Sequence, residues 1–185
     1  MLTTEDFKKH IEILSNGKYL SYDEGKSAFE YIMTGNATDI LISSFLTSLK
    51  IIFINSGISH DLIAAGADIM REKAIKIKAS DDTIDIVGTG GDGHNTLNIS
   101  TATALVISGT GIKVAKHGNY SASSMSGSAD VLISLGINIK NDISNVQKCL
   151  DECGICFLFA PKHHSAMKHV MNCLLYTSDA ADDYR

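Results

Sequence analysis

After Ala79-Ser80-Asp81-Asp82 the hydrophobic period of the chain switches from helical to alternating, and a chain with that switch must fold in two structural parts. Before it, Thr3 and Asp6 stand at capping-box spacing ahead of Phe7, Ile11 and Leu14, and Asn16-Gly17 supplies a stop. Ser21 and Glu24 repeat the arrangement ahead of Ala28, Tyr31 and Ile32, and Gly35-Asn36 ends that helix. A third helix from about Thr38 places Ile42, Phe45, Leu46 and Leu49 on one face, and a fourth after Ser59 carries Leu62, Ala65 and Ile69. Residues 1–74 therefore read as a small all-α domain.

Beyond the switch, 83–87 alternates like a strand, 88–93 is a glycine-rich loop and 99–108 suits a helix. The next strand is expected over 111–115, a helix over 126–135 closed by Gly136, another helix over 143–153 and a buried strand over 155–159. Pro161, the chain's one proline, opens a further helix at a position where proline costs no hydrogen bond. Strand and helix in alternation imply a mainly parallel sheet.

A hydrophobic share of 44% permits a sizeable core, yet no apolar run approaches the roughly 20 residues of a membrane helix. Residues 2–7 lack the basic start and apolar stretch of a signal peptide, so a cytoplasmic protein without membrane contact is expected. From Cys173 to Arg185 the chain resembles the conceptual translation of a transposon-end adapter used in DNA library preparation; 173–185 is expected to be a non-native tail. Without it the charge moves from -5 to 15 basic against 18 acidic residues, or -3, which argues against nucleic acid as a partner. Cys153-Gly154-Ile155-Cys156 has redox or metal spacing but runs into Phe157-Leu158-Phe159, so buried reduced thiols are the simpler expectation. His163, His164 and His169 lack the three- or four-residue spacing that puts ligands on one helical face, and no metal is assigned to them.

Gly88-Thr89-Gly90-Gly91-Asp92-Gly93 follows a strand directly, so backbone N–H groups face the carboxyl end of a sheet, where phosphate binds well. It also matches the dinucleotide pattern G-x-G-x-x-G. The helix, however, opens only after His94-Asn95-Thr96-Leu97-Asn98, and about 20 residues on, where an acid should stand, are Lys113 and Lys116. A P-loop is excluded by the missing Gly-Lys-Ser/Thr. Asn98-Ile99-Ser100-Thr101 brings hydroxyls to a helix start, where capping and anion binding can coexist. Lys116-His117-Gly118-Asn119 follows the second strand, and Ser121, Ser123, Ser124, Ser126 and Ser128 cluster around Gly127 as a surface loop or as further phosphate donors. His117 alone reads as a structural histidine.

Taken in order, 85–92, 98–101, 116–119, Gly127-Ser128-Ala129-Asp130-Val131-Leu132 and Phe159-Ala160-Pro161 resemble anthranilate phosphoribosyltransferase, a resemblance that spans 1–171. It implies an α/β fold of the nucleoside phosphorylase/phosphoribosyltransferase class. A helical domain over 1–74 would be followed by the first part of a mainly parallel domain over 75–172, truncated, with phosphoribosyl pyrophosphate in the cleft between them. It carries diphosphate and ribose contacts onto Gly88, Gly91, Asp92, Thr96, Asn98, Ser100, Thr101, Lys116, Asn119, Ser124 and Ser128. Gly88 and Asn119 would also border anthranilate, and Ser100 would reach Mg2+. No catalytic nucleophile is implied.

The resemblance further implies a homodimer of a tryptophan-biosynthetic enzyme. Tyr120 and Met125 stand where the family usually has Arg and Lys, its anthranilate-binding arginine would fall at Leu174, and its acidic metal ligands would lie further on; this chain alone is expected to be inactive. Rival readings are a pyrimidine nucleoside phosphorylase and a non-catalytic nucleic-acid- or protein-binding relative of the same fold.

Overall fold

The structure is a computed structural model that describes residues 2–88, 97–121 and 126–177. The described chain divides into two compact units, one of residues 2–74 with 166–177, the other of Ile75–Ser165.

In the helical unit each of four helices starts where a side chain satisfies an open backbone donor. Thr3 caps α1 (Thr4–Ser15), Ser21 caps α2 (Tyr22–Met33), Thr38 caps α3 (Asp39–Ser56) and Ser59 caps α4 (His60–Lys73). At α2 the box is reciprocal, with Glu24 Oε2 accepting from the Ser21 N–H at 2.8 Å. Phe7, Ile32, Ile42, Phe45 and Leu62 form the buried centre, where the Phe7 ring lies 5.1 Å from Tyr31 and 5.3 Å from Phe45. By length and composition α3 could cross a membrane, contrary to the expectation that no run is so long; its Ile42, Phe45, Leu49 and Ile52 are instead buried in this core.

The chain comes back to the helical unit at Ala166, before the boundary expected at 172. Val170 and Cys173 are buried in its core, and the Cys173 thiol donates to the Asp39 carbonyl at 3.5 Å. Cys173, expected to open a foreign tail, thus sits inside a helix, Met171–Thr177, and helps to fill the bundle. The remainder of the tail, 178–185, lies outside the described residues.

The α/β unit is built on two parallel strands, Val114–Gly118 (β1) and Ile155–Phe159 (β2), paired from Val114 with Ile155 to Gly118 with Phe159. Two strand expectations are corrected here. Residues 83–87 contribute a single parallel bridge, Ile84 with Val114, and the second strand begins three residues later than 111. The reason lies in α5 (Ile99–Gly109): it ends in a turn whose Gly111 has φ 93°, so the chain straightens only beyond it and β2 sets the register. Helix α6 (Ser128–Ser134) starts two residues later than 126, because Gly127 is extended and gives its N–H to Asp130. Helix α7 (Ile143–Cys153) stops at left-handed Gly154 and passes straight into β2, and Pro161 lies in the first turn of α8 (Ala160–His163). Of the cysteines expected to be buried, Cys156 and Cys173 are, whereas Cys153 is exposed and Cys149 half-buried.

Candidate functional site

Parallel strands bind ligands at their carboxyl ends, and the described polar residues singled out in the sequence form two groups, one along β1 and one at its end. The first is centred on Lys116, an interior residue of β1 that is only 3% exposed. Its ammonium donates to the Ile86 carbonyl at 2.8 Å and to the Ser100 hydroxyl at 3.4 Å, tying the chain just before Gly88 to the first turn of α5. Burial pushes the Lys116 ammonium below the ordinary lysine range, against an opposing pull from the Asp85 carboxylate. Part of its surroundings is a cavity of about 120 Å³ walled by Thr101, Leu132, Cys149 and Phe157, which is largely apolar. A cation held there with no carboxylate among the described residues bonded to it is poised to attract an anion.

At the start of α5, Asn98 caps the helix by accepting from the Thr101 N–H at 3.3 Å. The Thr101 hydroxyl is buried and has no hydrogen-bond partner among the described residues. Gly88 is exposed at the end of the segment that carries Ile86.

The second group closes the end of β1. The Asn119 carbonyl accepts from the Ala129 N–H at 3.1 Å and from the Ser128 hydroxyl at 3.4 Å. Gly118 leaves room for that hydroxyl, since a Cβ there would collide with Ser128 Oγ and with the Phe157 ring. Gly91, Asp92, Thr96, Ser124 and Met125 lie outside the described residues.

Two carboxylates that organise the site were not among the sequence candidates. Asp130 Oδ2 accepts from the N–H groups of Ser121 and Gly127 at 3.1 and 2.8 Å, and Asp85 Oδ1 accepts from the His117 N–H at 3.0 Å. Asp130 was findable, as an acid three residues after a glycine at a helix start. Asp85 was not, since its partner comes from a different strand. Tyr120 packs its ring edge-on against Phe159 at 5.3 Å, so the position where the resemblance implies arginine holds an aromatic contact.

Residues 8–74 match the family model described as the glycosyl transferase family, helical bundle domain, and residues 80–174 match its a/b domain. The chain belongs to this glycosyl transferase family. Within it, the chain is 48% identical over 165 residues to the anthranilate phosphoribosyltransferase of Parvibaculum lavamentivorans, covering 89% of this chain and 47% of that protein. It is 50% identical over 168 residues to the Rhodospirillum rubrum enzyme of the same name, covering 91% and 47%.

Among solved structures, the family fold recurs in anthranilate phosphoribosyltransferase from Thermus thermophilus, with TM-score 0.81 and 35% identity over 91% of this chain and 50% of that one. It recurs again in the Saccharomyces cerevisiae enzyme in complex with PRPP and Mg, with TM-score 0.82 and 29% identity over 95% and 52%. The chain thus spans about half the length of the relatives it matches.

Proposed function

We propose that this chain forms the diphosphate-holding part of an anthranilate phosphoribosyltransferase. That enzyme moves the phosphoribosyl group of phosphoribosyl pyrophosphate to the amine of anthranilate, giving N-(5-phosphoribosyl)anthranilate and pyrophosphate in tryptophan synthesis. The observation that carries the reading is the buried Lys116 ammonium of β1, bonded to Ile86 and Ser100 and to no carboxylate among the described residues. In the transfer the bond from the anomeric carbon to the diphosphate oxygen breaks, a bond to the amine nitrogen forms, and the amine releases a proton. Charge builds on the departing diphosphate, so fixed donors that meet it there lower the barrier. The reading includes no protein nucleophile, only positioning of the two substrates.

In this reading Gly88, Asn98, Ser100, Thr101, Lys116, Asn119 and Ser128 contact the diphosphate and ribose together with Gly91, Asp92, Thr96 and Ser124, while Gly88 and Asn119 border anthranilate. Mg2+ supplies charge neutralisation on the diphosphate when bound. Among the described residues no group of three His, Cys, Asp or Glu is placed to hold a metal ion. Ser100, whose hydroxyl is 3.4 Å from the Lys116 ammonium, would supply one oxygen to Mg2+. We further read the whole protein as a cytoplasmic homodimer that associates through its helical unit. Free thiols support the compartment, and exposed Ile40, Ile51, Ile54 and Ile63 on α3 and α4 support the association.

The test is calorimetric titration of the folded chain with magnesium diphosphate and with phosphoribosyl pyrophosphate. Binding that Lys116→Ala weakens supports the reading. A folded chain that binds neither ligand overturns it.

A further inference from the structure

Three histidines converge beside the carboxyl end of β1. His117 comes from the strand itself, while His163 and His164 come from the end of α8, the turn that follows β2. The rings meet edge to face, with centroids 5.7 Å apart for His117 and His163, 5.2 Å for His117 and His164, and 4.8 Å for His163 and His164. Nε2 of His117 and Nδ1 of His163 are buried with no hydrogen-bond partner among the described residues. Such packing favours the neutral forms of His163 and His164: imidazoles this close repel once charged, and an imidazolium nitrogen buried without an acceptor is costly.

The charged groups contributed by the surrounding elements offer no relief. Asp85, on the segment beside β1, gives an oxygen to the His117 backbone N–H. Asp142, before α7, lies 3.7 Å from the Lys162 ammonium, and Lys116 and Lys162 add like charge next in sequence to the rings.

The turn that carries two of the rings is lightly held on its other side. It rests over a cavity of about 470 Å³ lined by Ile139, Val146, Phe157, Pro161 and His163. On that side the Ile75 N–H donates to the His163 carbonyl at 2.9 Å, and the exposed Lys162 ammonium reaches the Lys140 and Asn141 carbonyls at 2.9 and 3.4 Å and the Asp142 carboxylate at 3.7 Å.

We propose that the 160–165 turn is an acid-released latch: the neutral rings of His163 and His164 pack against the His117 ring and hold the turn to β1, and protonation of His163 and His164 frees it. The freed turn draws away from the strand end where Asn119 and Ser128 stand, so acid reshapes that end of the sheet. The directions of titration agree: burial first, and then the neighbouring imidazoles, hold His163 and His164 below the ordinary histidine value.

The test follows the imidazole C–H resonances and amide exchange of the full chain between pH 7.5 and 5. His163 and His164 are expected to titrate below about 6.5 and in a coupled fashion. Once corrected for intrinsic exchange, opening of the 158–164 amides is expected to rise up to about tenfold per pH unit for each proton taken up. His164→Gln should move the His163 midpoint upward and flatten that rise. Because the wild-type titration stands by itself, the proposal remains testable should the variant fold poorly. Independent midpoints near the ordinary value, or opening that does not change with pH, would overturn it.

Discussion

The Lys116 ammonium lies 2.8 Å from the Ile86 carbonyl oxygen, so among the described residues the buried cation of β1 is held by a neutral acceptor on the neighbouring segment and not by an acid. A carbonyl orients an ammonium without cancelling its charge, which leaves the charge available to an arriving anion.

Lys116→Met tests this division of roles. The thioether keeps the volume and removes a charge that burial disfavours, so thermal stability should stay within about 1 kcal/mol of the parent or rise. Affinity for magnesium diphosphate should fall at least about tenfold, the loss of one charge-assisted contact. Thermal unfolding and calorimetry on the same samples check both, and a large drop in stability with binding intact would make Lys116 a structural residue.

Gly127→Ala should disrupt the end of β1. A Cβ at Gly127 would lie 2.7 Å from the Asn119 carbonyl oxygen and closer still to the backbone of Tyr120 and Ser121, which cannot move aside as a flexible side chain would. Urea unfolding should show a loss of about 1–3 kcal/mol in the α/β unit, the range for forced overpacking. An unchanged midpoint would mean that the 119–121 backbone gives way freely.

His10 makes the helical unit sensitive to acid. It is 8% exposed, its Nδ1 has no hydrogen-bond partner among the described residues, and burial lowers its pKa despite the opposing pull of Glu24 and Asp6. A folded pKa below the unfolded value means that the unfolded chain binds the proton first. Its contribution is therefore fully present above about 6.5 and is lost as pH falls through the lowered folded value, by at most about 1.4 kcal/mol per pH unit. His10→Leu should flatten the decline in protection of α1 amides between pH 7.5 and 5; an unaltered slope would assign the acid sensitivity elsewhere.

Cys156 should resist alkylation. Burial pushes its thiol up to about 11, so at pH 8 about one molecule in a thousand carries the thiolate. Iodoacetamide labelling followed by peptide mass analysis should find exposed Cys153 modified well before Cys156. Equal rates would show that β2 opens readily.

Local signals were legible wherever one side chain answers a neighbouring backbone. Thr3, Ser21, Thr38 and Ser59 all cap the helices they were expected to open, and Gly154 ends α7 as a C-terminal glycine should. Asn98 and Ser100 were likewise readable as residues of a helix start. The strands were less legible: 83–87 alternates in sequence, yet pairing depends on a partner whose register is set by β2 and by the turn at Gly111. Asp85 and the meeting of His117 with His163 and His164 were invisible for the same reason, since their partners lie far along the chain.

What the sequence determined by itself was the succession of elements, the helix caps and the ordered polar motifs, because capping and amphipathic periodicity act within a few residues. The tertiary structure alone decided that Lys116 is buried against Ile86 and Ser100, that Cys173 fills the helical core and that three imidazoles share one space. Those outcomes depend on contacts closed over long stretches of chain, and hydrophobic burial, which closes them, has no direction of its own until strand register and helix packing supply one.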